Sequence, residues 1–221
     1  MSDKIYNNFR FYLLGYLIFI SLSSILFLKS NYMLDTNNSM AEWVINYKGG
    51  FGRRGLFGEL FTYITDLTNI YLKDVVLYFL IIIILIYHSL LFFFLRNLKF
   101  NITFVLVILS PLFVIFPIAE LEALGRKDIL IPLLFLIFSF LFDKLNFIYY
   151  IFFLIISYTI ILLTHEVSIF YLPFFYFLIL YKVKNLSLFN FFLLILVSIY
   201  FLLIIYKLSK SIHTDTEIQE M

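Results

Sequence analysis

The chain has 221 residues, 63% of them hydrophobic and 14% charged, with a mean hydropathy of +1.03 and a formal net charge of +2. Soluble domains average about 45–50% apolar and about 25% charged residues, so this composition excludes a water-soluble globule and points to a lipid bilayer. The absence of cysteine excludes disulfide and thiolate chemistry, and three histidines are too few for a His-rich metal site.

Crossing about 30 Å of hydrocarbon takes about 20 helical residues. In chain order the apolar runs are 11–28, 75–95, 102–118, 129–142, 148–164, 167–181 and 186–206. They predict an all-α, polytopic transmembrane bundle of about seven segments over residues 1–206, with a Gly/Arg-rich outer loop after the first span. The first run follows Lys4 and Arg10 but lacks a small-residue cleavage site, so it reads as an uncleaved span. Run 129–142 reaches spanning length only if its helix starts near Glu120, and 148–181 fits a tight or re-entrant hairpin around His165-Glu166. The polar segment 207–221 reads as a soluble tail or as the point where a longer protein is cut. The 30 Phe and 17 Tyr fit AT-rich codon usage and imply no aromatic site.

Basic residues in loops set orientation. With a cytoplasmic N-terminus, Lys4, Arg10, Arg96, Lys99, Lys144, Lys182 and Lys184 lie inside in very short segments, and the other basic residues spread over longer outer stretches. Their density favours that orientation, although the raw count does not. The basic residues sit between apolar runs, so no nucleic-acid partner is expected. In this orientation the segment 29–74, the turn 119–128 and the pair His165-Glu166 share the outer face.

Those three places hold the candidate chemistry. Five of the seven glycines lie between Gly49 and Gly58, among them Gly50, Gly52, Gly55 and Gly58, around the adjacent Arg53 and Arg54. Glycine allows turns whose backbone N–H groups converge on an anion, and paired guanidiniums add bidentate donors. This is a phosphate or diphosphate clamp or, more simply, a flexible loop with headgroup anchors. Asp35, Glu42 and Glu59 bracket it as candidate carboxylate bases or ordinary loop residues. Trp43 is expected at the membrane interface.

The second cluster, Glu120 to Asp128, includes Arg126, Lys127 and an i,i+4 pair of Glu122 with Arg126. It is a salt-bridged helix end or the lining of a wet cavity. In the third, Glu166 is a candidate general base and His165 its neighbour or a phosphate donor, unless the pair lies in a solvated turn. His88 reads as a helix-packing residue. Walker A, H-E-x-x-H and G-x-S-x-G patterns are absent.

Trp43, the run Gly50-Phe51-Gly52-Arg53-Arg54-Gly55-Leu56-Phe57-Gly58, Gly125-Arg126-Lys127-Asp128 and His165-Glu166 together resemble polytopic proteins of bacterial surface-polysaccharide loci. These are the Wzy-type O-antigen or capsule polymerases and, more loosely, the GT-C-type glycosyltransferases. The resemblance touches about a quarter of the chain, and such proteins carry more spans than the seven read here. It implies glycosyl transfer or polymerisation from a polyprenyl-(di)phosphate-linked sugar at the outer face of the bacterial cytoplasmic membrane, alongside other polysaccharide-assembly proteins. Arg53, Arg54, Arg126, Lys127 and His165 would then bind phosphate, and Glu42, Glu166 or Asp35 would act as base. Gly50, Gly52, Gly55, Gly58, Glu59 and Asp128 would support the loop, with no metal or cofactor required, although paired acids such as Glu120 and Glu122 leave a metal open. A transporter or flippase of an anionic or lipid-linked substrate, or a non-catalytic membrane subunit, would use the same residues differently.

Overall fold

A computed structural model describes residues 3–32, 38–47, 54–98, 101–110, 114, 125–182 and 187–210. Among these residues every regular element is helical and none is a strand. The chain divides into two units, one comprising Met1–Ala41 with Ile70–Arg126 and the other Glu42–Asn69 with Lys127–Met221.

The first unit is built on an antiparallel pair, α1 (Asp3–Tyr32) and a second long helix over Leu72–Leu95. Leu13, Leu17, Ile20 and Leu28 of α1 recur at helical spacing and are buried, as are Val76, Leu80, Ile84 and Leu91 of the partner helix. Polar contacts pin both ends. Arg10 Nε donates to the Arg96 carbonyl at 3.0 Å, and at the other end the Tyr32 hydroxyl donates to Asp74. A four-residue helix, α2 (Asn38–Ala41), and the short Ile102–Ile108 helix complete the described part of this unit. Asn101 caps the latter by accepting from the Thr103 N–H at 3.0 Å. The Tyr16 hydroxyl donates to the Ile108 carbonyl near its end. His88 is buried, as its reading as a packing residue expects.

In chain order the helix labels continue as α3 (Leu56–Thr68), α4 (Leu72–Leu95), α5 (Ile102–Ile108), α6 (Leu130–Leu141), α7 (Phe147–Thr164), α8 (Leu172–Lys182) and α9 (Leu188–Ser209). The second unit holds α3 and α6 to α9, with single 3-10 segments at Glu42–Val44, Lys127–Ile129 and Glu166–Tyr171. Its core is aromatic. Phe138, Tyr150, Tyr158, Phe175 and Phe201 are all fully buried, and Phe138 lies 4.7 Å from Tyr150 and 5.2 Å from Phe175, ring to ring. Buried phenols need acceptors: Tyr150 donates to the Phe138 carbonyl at 2.9 Å, and Tyr158 donates to the Ser168 carbonyl.

Two prolines set boundaries. Pro132 and Pro173 each sit in the first turn of a helix, α6 and α8, where the missing N–H costs nothing. Pro173 also explains why 166–182 changes from 3-10 to α at that point. The Ser187 hydroxyl accepts from the Asn190 N–H and starts α9, most of whose apolar surface is exposed.

Among the described residues, four helices are long and apolar enough to cross a membrane: Phe9–Ser30 within α1, α4, α7 and α9. The remaining expected spans correspond, among the described residues, to α5, α6 and α8, of 7, 12 and 11 residues. Twelve residues of α-helix rise only about 18 Å, short of the hydrocarbon thickness. Most of the 207–221 tail lies outside the described residues.

Candidate functional site

The second unit gathers one ion network from residues far apart in sequence. It starts where α7 ends. His165 takes an extended backbone conformation (φ −156°, ψ 94°) that breaks the helix, and the chain re-enters a 3-10 turn at Glu166. The Tyr158 hydroxyl, about two turns before the break, holds the Ser168 carbonyl and folds this turn back against α7. The 3-10 turn Lys127–Ile129 leads into α6, so Lys127 and Asp128 sit at a helix N-terminus.

Arg54 joins the segments. Its guanidinium contacts both carboxylate oxygens of Glu166, with Nε at 3.1 Å from Oε2 and a terminal nitrogen at 3.2 Å from Oε1. A second terminal nitrogen lies 3.6 Å from Glu42 Oε1. The backbone of Arg54 is left-handed (φ 66°), a conformation that costs a non-glycine residue about 1 kcal/mol. Its carbonyl is held there by Lys127 Nζ at 3.0 Å, and its side chain by the two carboxylates.

Lys127 is only 1% exposed. Its ammonium lies 5.7 Å from the Trp43 ring centroid, and Trp43 packs edge-on against Phe57 at 5.5 Å. Burial pulls the Lys127 amine down to about 8; the Arg54 charge adds to this, and Glu42 and Glu166 oppose it. For Glu166, burial pushes the carboxyl up. The hydrogen bonds from Arg54 and its own backbone, with the charge of Arg54 and, when it is protonated, that of His165, outweigh that and hold it below the usual value. Arg54 is raised, chiefly by its hydrogen bond to Glu166.

Beside this group, His165 Nε2 lies 2.8 Å from Asp128 Oδ1. The His165 side chain is 12% exposed and that of Asp128 49%, so Asp128 forms the rim and His165 lies beneath it. The Nδ1 atom is buried with no hydrogen-bond partner among the described residues. Across the network three carboxylates face two cations, which leaves one excess negative charge while His165 is neutral. Among the described residues no group of His, Asp and Glu has the arrangement to hold a metal ion.

The helix α3 fixes the Arg54 side of the site. A Cβ on Gly58 would lie 1.9 Å from the Ile45 carbonyl oxygen, so only glycine lets α3 approach the Glu42–Val44 segment this closely. Gly55 lies under the Tyr47 ring in the same way. Glu59 accepts from the Tyr47 N–H at 3.2 Å and ties the same two segments. The outward stripe Leu60, Tyr63 and Leu67 is apolar and exposed, as befits a helix resting against lipid.

Of the expected site residues, Glu42, Arg54, Lys127, Asp128, His165 and Glu166 come together. Arg126 is exposed and belongs to the first unit, next to Gly125 in a left-handed turn (φ 90°). Asp35, Gly50, Gly52 and Arg53 lie outside the described residues, as do Glu120 and Glu122. Gly58 and Glu59 are helical, because α3 starts at Leu56. Trp43, expected at the membrane interface, is fully buried within the protein, covered by Phe57, Phe61 and Lys127. The link that sequence reasoning missed is Asp128 with His165: 37 residues separate them, and no local spacing signals the pair. No family model, curated protein or solved structure matches this chain.

Proposed function

We propose that this chain takes part in bacterial surface-polysaccharide assembly, transferring or polymerising sugar from a polyprenyl-(di)phosphate carrier at the outer face of the cytoplasmic membrane. The observation that carries the reading is the convergence of three charged segments on Arg54, at one end of the helices of the second unit. A leaving diphosphate needs preorganised cations where its charge develops, and Arg54 supplies a planar, two-pronged donor. Because Glu166 and Glu42 already occupy that donor, the diphosphate binds by exchange. It displaces one carboxylate, and Lys127 beneath holds the Arg54 backbone in place.

Orientation supports the same side. Lys144 and Lys182 lie at the opposite end of α6, α7 and α8, where Lys182 Nζ rests 4.8 Å from the Phe142 ring centroid. Basic residues in short turns favour the cytoplasm, which leaves the network outside. On this reading α5, α6 and α8 are the three remaining segments, as short, membrane-embedded helices.

Trp43 is the single tryptophan of the chain and lies beside Lys127, so its fluorescence reports on the network. Titrating the chain in nanodiscs with short-chain prenyl-diphosphate-linked N-acetylglucosamine should change the emission saturably, and the matching prenol should not. If both give the same response, or neither gives any, the diphosphate site is lost and the proposal with it. Release of prenyl diphosphate on adding an acceptor sugar then separates transfer from passage.

A further inference from the structure

We infer that His165, oriented by Asp128, is the group that accepts the proton of the attacking hydroxyl, an inference that rests on the transfer reading above. The geometry is that of a base held by a carboxylate. Asp128 Oδ1 at 2.8 Å fixes the proton on Nε2 and leaves the lone pair on Nδ1. That Nδ1 is buried and has no partner among the described residues. A buried acceptor left unpaired is costly, and such atoms in folded proteins call for an explanation. A substrate hydroxyl would supply the missing donor.

The neighbouring groups are suited to other work. Both oxygens of Glu166 are taken up by Arg54, so its lone pairs are engaged and its basicity is low. Glu42 is farther out, at 3.6 Å from Arg54, with its side chain 37% exposed. Lys127 is buried and donates to the Arg54 carbonyl. The charged groups around His165 are therefore Asp128 in contact, Glu166 next in sequence with its Arg54, and Lys127 beside Asp128.

In the step itself the acceptor hydroxyl gives its proton to Nδ1 while its oxygen forms the bond to the anomeric carbon. The bond from that carbon to the diphosphate oxygen breaks, and prenyl diphosphate leaves with the electron pair. The imidazolium is stabilised by Asp128 until it releases the proton to water. The atoms balance without an oxidant, a reductant or a metal.

The test uses the full chain in nanodiscs with prenyl-diphosphate-linked N-acetylglucosamine and an acceptor sugar. His165→Gln should lower the rate of prenyl diphosphate release about 100-fold or more, the range for loss of a general base, and leave the Trp43 response to the donor in place. Asp128→Asn, which keeps the shape, should lower the rate about 10- to 100-fold. It should also move the proton from Nε2 to Nδ1, read by 15N NMR of labelled histidine with His165 assigned by its loss in His165→Gln. Wild-type release with a His165→Gln rate within threefold of it overturns the inference and spares the transfer reading. A wild-type Nδ1–H tautomer also overturns it, whatever the rates. A wild-type chain that neither responds to the donor nor releases prenyl diphosphate removes both.

Discussion

The second unit carries ionisable groups at both ends of α6, α7 and α8, and the two ends hold them in opposite ways. At the Phe142–Asn146 turn, Asp143 and Lys144 are exposed, and Lys182 lies against the rings of Phe142 and Tyr150 at 4.8 and 5.5 Å. Solvent screens these charges, and each acts as a local anchor. At the other end Lys127 is 1% exposed, and Arg54 contacts both Glu42 and Glu166. Buried charge is stable only when paired and hydrogen-bonded, so that end is a coupled network in which removing one member exposes the rest. The comparison separates anchoring charge from working charge by burial, where sequence shows only charged residues between apolar runs.

The largest expected break lies at the seam beneath the network. Gly58→Ala should destabilise the second unit by about 3 kcal/mol or more, because its methyl meets a backbone carbonyl that cannot move aside. Thermal unfolding in detergent measures this, and a change under 1 kcal/mol would show that α3 has room to shift. Next comes Glu166→Gln, which leaves Arg54 with Glu42 alone. The pair is partly exposed, so a loss of about 1–3 kcal/mol is expected, below that of a fully buried pair. The same substitution should strengthen binding of the diphosphate probe severalfold by removing its competitor. Weaker binding would contradict the exchange model.

Acid dependence sharpens the contrast further. Glu166 is held below its ordinary value, so its stabilising contribution is complete above that value and is lost as pH falls through the lowered one. Lys127 acts in the same direction, in an alkaline window. Its folded value of about 8 lies below the ordinary 10.5, so between these pH values the unfolded chain binds more protons and stability rises with pH. The slope should reach at most about 1.4 kcal/mol per pH unit and vanish in Lys127→Met. An unchanged slope in that variant would place the titration elsewhere. The smallest effect belongs to the opposite end: Lys144→Ala should change stability by less than about 0.5 kcal/mol. A larger loss there would erase the distinction between the two ends.

Much of the fold is legible in the residues. The apolar runs 11–28, 75–95, 148–164 and 186–206 each coincide with a helix of spanning length, since continuous apolarity over about 20 residues has few other outcomes. The shorter runs are harder. Pro173 and the break at His165 turn 167–181 into a 3-10 turn followed by 11 helical residues, a division that hydropathy alone does not reveal. Arg54, Lys127, Glu42 and Glu166 stand out by charge density, yet their partners do not. The fully buried place of Trp43 is invisible to a rule that sends tryptophan to the interface.

The sequence by itself determined that the chain is helical, apolar enough for a bilayer, and charged in three short segments. Composition and helical periodicity are local properties, and a bilayer leaves backbone groups no water to bond, so helix follows directly. Only the tertiary structure decided that Arg54 bridges Glu42 and Glu166, that Lys127 lies beneath it, and that Asp128 meets His165. Those contacts join residues 12 to 112 positions apart. Their physical cause is packing: the glycine seam of α3, the aromatic core of α6 to α8 and the reversal at His165 bring the segments within hydrogen-bond range.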